Sequence, residues 1–163
     1  MVSVSASTIR SSVLGILRQK NSKSGSKVRA KAVPNVRAAT LQTEIRENVE
    51  PGSRLYTDAW ASYRNLGGEY THEVIDHAVE YARGTVHTNG IENFWRLLKR
   101  TIKGTYVSVE PYHLGRYLDE QSFRFNERDD NDAGRFKSVL SSVSGRRLTY
   151  NELIGNAPEA KPF

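Results

Sequence analysis

The sequence predicts an α/β fold, a mixed sheet flanked by helices with a helical C-terminal part. Three observations carry this. Residues 13–33 read as two strands joined by a polar turn. Residues 36–58 read as a helix, a tight Pro51-Gly52 turn and a strand, which is the order of a crossover onto a parallel neighbour. Residues 89–103 read as one strongly amphipathic helix.

The first strand of the hairpin is Val13 to Arg18, a short apolar run, and Asn21 to Ser26 is its turn by composition. Lys27 to Val33 alternates cationic with small apolar residues, the pattern of a strand with one wet face. Residues 1–10 are small and polar and suit a frayed start or a weak strand. In the crossover, Leu41, Ile45 and Val49 mark the buried line of a helix over Val36 to Asn48. Arg54 to Asp58 is the strand that follows, and it ends on an acid. In open α/β sheets functional groups gather at such carboxyl ends. Ala59 to Leu66 reads as a short helix and Tyr70 to Asp76 as another strand.

The helix after residue 88 buries Ile91, Phe94, Trp95, Leu98 and Ile102 at three- and four-residue steps. Its other side carries Glu92, Arg96, Lys99 and Lys103, one carboxylate heading a ladder of cations. That suits an enzyme holding a metal ion against a nucleic-acid backbone. It also suits plain capping, because Asn89 and Glu92 have capping-box spacing and Glu92 with Arg96 is an ordinary i,i+4 pair. Asp58 has a similar double reading, since an acid between strand and helix is a favoured N-cap. Pro111 opens a further helix to Asn126, and short amphipathic helices follow at Phe136 to Ser142 and Thr149 to Ile154.

Composition narrows the function. At 163 residues the chain can bury a real core, and it has no apolar run long enough to span a membrane. The start is too polar for a secretory signal. There is no cysteine, which excludes disulfides, thiolate zinc sites and cysteine nucleophiles, and fits a cytoplasmic protein. The net charge is +6. Residues 1–50 hold nine Lys or Arg against three Glu, while the remainder is balanced at fifteen of each sign. This basic stretch, with Lys27, Arg29 and Lys31 in it, favours a polyanion such as DNA, or else a solvated hairpin. His72, His77 and His113 lack zinc spacing. Trp60, Trp95 and Tyr117 read as core, and Arg124, Asn126 and Arg128 suit either a DNA-facing row or a solvated helix end.

Four strings in order, TDAWASY, HTNGIENFWRLLKR, IKGTY and HLGRYLDEQSFRFNER, resemble the catalytic domain of bacterial insertion-sequence transposases of the DDE type. The resemblance covers about Val13 to Ile154 and implies an RNase H-like sheet. It implies three acids holding two Mg²⁺ or Mn²⁺ ions for in-line cleavage and transfer of DNA strands. Asp58 matches the second acid and Glu92 the third, with Asn89 the rival ligand. Lys99 matches a cation that contacts DNA near the cut end, and Arg96, Arg100 and Lys103 extend that row. His87 and Thr88 either contact the site or shape its loop.

The pattern departs from the family at its start. The first acid belongs on a strand before Val13, yet no Asp precedes Asp58 and no acid of any kind precedes Glu44. The expectation is therefore that the family's first strand is missing. Residues 1–12 would be a replacement start, 13–155 a partial catalytic domain and 156–163 a loose tail. The centre would lack one ligand. The function expected is an impaired transposase catalytic domain, or an inactive DNA-binding remnant that associates with itself or with a full-length transposase.

Overall fold

The computed structural model describes residues 1–9, 11–19, 25–58, 61–75, 89–106 and 109–155, with the backbone alone at 8, 9 and 89. The elements in chain order are β1 (Val2–Ile9), β2 (Ser11–Arg18), β3 (Lys27–Val33), α1 (Ala38–Asn48), β4 (Arg54–Thr57), a 3₁₀ turn (Ala61–Tyr63), β5 (Thr71–Val74), α2 (Asn89–Gly104), a 3₁₀ turn (Pro111–His113), α3 (Leu114–Asn126), α4 (Asp132–Val143) and α5 (Tyr150–Leu153). The strands form one mixed sheet in the order β3-β2-β1-β4-β5. The fold is α/β and RNase H-like in arrangement.

Two expectations are corrected. The first strand is not missing: Val2–Ile9 is β1, and it lies at the centre of the sheet. It pairs antiparallel with β2, from Val2 opposite Arg18 to Ile9 opposite Ser11, and parallel with β4, from Val2 beside Leu55 to Val4 beside Thr57. A strand buried on both faces usually reads as a continuous apolar run. β1 instead alternates Val with Ser. Val2 and Val4 enter the core under α1, while Ser3, Ser5 and Ser7 turn to the other face. The expected helix at Ala59 to Leu66 is also shorter, and its described part is the 3₁₀ turn Ala61–Tyr63.

The sheet carries a separate core on each face. On one side Val2, Val4, Leu14, Ile16, Val33 and Leu55 pack against Leu41 and Ile45 of α1 and against Tyr63, Leu66 and Tyr70. On the other side Val13, Leu17, Val28 and Ala30 pack against Ile91, Phe94, Trp95, Leu98 and Ile102 of α2 and against Leu114, Leu118 and Phe125 of α3. β2 serves both cores, odd residues to α2 and even residues to α1, which is why it reads as apolar throughout. Its exception, Gly15, lies under Trp95. A Cβ there would be 2.6 Å from Trp95 Cζ2, so the missing side chain lets the indole and the helix come down onto the sheet.

The connection into β4 follows its local chemistry. Ser53 N–H donates to Glu50 O at 3.2 Å across Pro51-Gly52, and Gly52 has φ +79. Pro at the second position and a left-handed Gly at the third make a type II turn. It starts β4 so that the strand runs from Arg54 to Thr57 and delivers Asp58 at its carboxyl end.

Contacts divide the chain into two compact units, Met1–Asn126 and Glu127–Phe163. The sheet, α1, α2 and α3 all belong to the first. In the second, α4 is capped by Asn131, whose side chain accepts from Gly134 N, and α5 carries a full capping box between Thr149 and Glu152. Among the described residues no helix is long and apolar enough to cross a membrane.

Candidate active-site cleft

β1 and α2 line one cleft, and the end of β4 lies beside β1. Asp58 directly follows Thr57, which is fully buried. The Thr57 hydroxyl donates to the Asp58 carbonyl at 3.1 Å and lies 2.8 Å from His72 Nε2. With the single hydroxyl proton used on Asp58, the ring supplies Nε2–H to Thr57 Oγ1. These two bonds fix the backbone from which the Asp58 side chain leaves the strand. Partial burial holds the His72 pKa below its ordinary value. On the α1 side Tyr63 is buried, and burial first, then the Asp58 charge beside it, pushes its phenol pKa well up.

In the register of β1 with β4, Val4 pairs with Thr57, so Ser5 comes level with Asp58. Ser5 Oγ lies 3.4 Å from Asp58 Oδ2, a long hydrogen bond in which the hydroxyl donates. Ser5 also faces α2. With Ala6, Ser7, Glu92, Trp95, Arg96 and Lys99 it lines an open cleft of about 440 Å³. Ser5 thus touches Asp58 on one side and shares the cleft with Glu92 on the other. Trp95 is largely buried, and its Nε1 has no hydrogen-bond partner among the described residues.

α2 presents Glu92, Arg96, Lys99, Arg100 and Lys103 as exposed residues, while Ile91, Phe94, Trp95, Leu98 and Ile102 are buried. The helical spacing read from the sequence is therefore the spacing observed. Arg96 donates to Asn93 Oδ1 at 3.3 Å. Asn89 is the first residue of the helix, and its side chain lies outside the described atoms, as do His77, His87, Thr88 and Trp60.

The cations of β3 are placed elsewhere. Arg29 donates to Asn48 Oδ1 at 2.5 Å and Lys31 pairs with Glu44 at 2.6 Å, so both reach α1 on the opposite side of the sheet from α2. Lys27 donates to the carbonyl of Asn126 at 2.8 Å. The two groups of basic residues do not form one surface. Arg124 pairs with Glu120, and Asn126 binds the edge of β3. Ser5 is the residue that sequence reasoning missed. The alternation of β1 was its available signal, and the parallel register with β4 is what turns that alternation into a place in the cleft.

The donor set limits the chemistry. Among the described residues no three His, Cys, Asp or Glu come together to hold a metal ion. Among the described residues the cleft is lined by one carboxylate, Glu92, and by neutral serine hydroxyls, with Asp58 behind Ser5. That set does not fit a pair of divalent ions, which take most of their binding from carboxylate charge.

A mixed five-stranded sheet, an acid at the end of β4 and an acid heading a basic helix packed on β1 and β2 define a class, and the family comparison agrees. Residues 4–126 match the family model for the ISXO2-like transposase domain, and the chain belongs to that family of insertion-sequence transposases. It is also 39% identical over 104 residues to an uncharacterized transposase-like protein of Haemophilus influenzae, across 63% of this chain and 84% of that protein. The match includes most of β1, in keeping with the corrected place of that strand.

Proposed function

We propose that this chain is a DNA-binding transposase domain that seats a DNA backbone along the exposed side of α2, with metal-dependent strand cleavage and transfer impaired. One observation carries the reading: Glu92, Arg96 and Lys99 open onto the same cleft as β1. Arg96 and Lys99 supply charge for phosphates, and Arg100 and Lys103 continue the row along the helix. Asp58 and Glu92 are the acids available for chemistry, and Asn89 remains a rival to Glu92 for that role. Two acids confine a divalent pair poorly, since the cations repel each other, so neither Mg²⁺ nor Mn²⁺ supports efficient cleavage here. A DNA partner is in keeping with a cytoplasmic protein.

The test is binding to a duplex oligonucleotide in EDTA, followed by fluorescence anisotropy over a range of salt. Affinity should fall steeply with salt, and Lys99→Ala should reduce the log–log slope by about one, the value for one phosphate contact. A slope unchanged in both Lys99→Ala and Arg96→Ala would overturn the reading.

A further inference from the structure

We propose that Ser5 occupies the position from which a third carboxylate would close a divalent-cation site with Asp58 and Glu92. A single side chain then separates this cleft from a metal centre. The inference rests on the cleft being an impaired transposase site, and it names the residue responsible.

The placement comes from register and alternation. Ser3, Ser5 and Ser7 share the strand face under α2. Ser3 is fully buried, level with Tyr56, and does not line the cleft. Ser7 lines the cleft but is two residues beyond the level of Asp58. Ser5 alone does both, 3.4 Å from Asp58 Oδ2 and on the wall that it shares with Glu92. Serine brings a neutral hydroxyl, a weak ligand for a hard cation. A carboxylate in its place would stand against Asp58 at a distance where two negative charges repel strongly. That repulsion destabilises the empty site, and a bound cation relieves it. Metal affinity and fold stability thus become linked at this residue.

The experiment uses the full chain and compares wild type, Ser5→Asp and Ser5→Asp/Asp58→Asn. Thermal unfolding by circular dichroism is run in EDTA and in Mn²⁺. Ser5→Asp should melt below wild type in EDTA and rise by several degrees in Mn²⁺, while wild type and the double variant should not move. A second variant covers the chance that Ser5→Asp does not fold. Ser5→Cys is close to serine in size, and the chain has no other cysteine. Its thiol loses a proton on binding Cd²⁺, so an ultraviolet thiolate-to-metal band should appear and should weaken in Ser5→Cys/Asp58→Asn. A folded Ser5→Cys without the band, or with a band indifferent to Asp58→Asn, would overturn the proposal. So would a wild-type rise in Mn²⁺ as large as that of Ser5→Asp. DNA affinity of wild type in EDTA is measured on the same preparation. Its absence would remove the DNA reading while leaving the metal result standing.

Discussion

Asn126 binds both backbone groups of Val28. Its Oδ1 accepts the Val28 N–H at 2.6 Å and its Nδ2–H donates to the Val28 carbonyl at 2.9 Å. The last residue of α3 thereby acts as one extra peptide unit on the outer edge of β3, covering a point that would otherwise offer a free donor and acceptor. Asn126→Ala should cost about 1–3 kcal/mol, the usual penalty for orphaned part-buried polar groups. DNA affinity should be unchanged. Urea unfolding and anisotropy on one sample check both, and a loss of affinity with stability intact would make Asn126 a DNA contact.

Gly15→Ala tests how α2 is seated. The new methyl would meet Trp95 Cζ2 at 2.6 Å, closer than real Cβ contacts come, so the indole or the helix must move. Overpacking of this kind costs about 1–3 kcal/mol. Trp95 fluorescence should shift along with the unfolding midpoint. A variant as stable as wild type with unchanged emission would mean that the helix gives way freely.

His72 sets a pH dependence of stability. Its folded pKa lies below the ordinary 6.5 because partial burial disfavours the charged ring. The unfolded state therefore takes up protons first on acidification. The contribution of neutral His72 is whole above about pH 6.5 and is lost as pH falls through the lower folded value. His72→Gln should flatten the stability profile below pH 6.5 relative to wild type. Parallel profiles would show that His72 ionises equally in both states.

The cations of β3 and α2 should separate in assay. Lys31→Ala loses a partly exposed pair with Glu44, worth about 0–1 kcal/mol of stability, and should leave the salt slope of DNA binding as it is. Lys99→Ala should do the reverse. A reduced slope in Lys31→Ala would show that DNA also reaches the α1 side.

Much of this was legible in the sequence where burial has a period. α2 was plain because five apolar residues and four charged ones keep to opposite sides of one helix. Asp58 was plain because an acid at a strand end follows from chain direction alone. β1 was misjudged because its serines look like surface, whereas that face lies under α2 and opens onto a cleft instead of filling a core. The alternation of β3 was read as a wet face, and Lys27, Arg29 and Lys31 are indeed exposed, but the acceptors that Arg29 and Lys31 find on α1 are revealed by no local pattern. Asn126 and Val28 are 98 residues apart, and a pairing of amide with backbone leaves no trace in composition.

The place of β1 also bears on how the sheet assembles. β1, β2 and β3 are consecutive antiparallel neighbours, so they can zip together as soon as they are made. The other edge of β1 waits for β4, and Ser5 and Asp58 are separated by 53 residues of chain. Until the crossover through α1 is complete, the most central strand of the molecule has one side open. Through that interval the open side of β1 is available for mispairing, and the cleft needs α2 as well, later still in the chain.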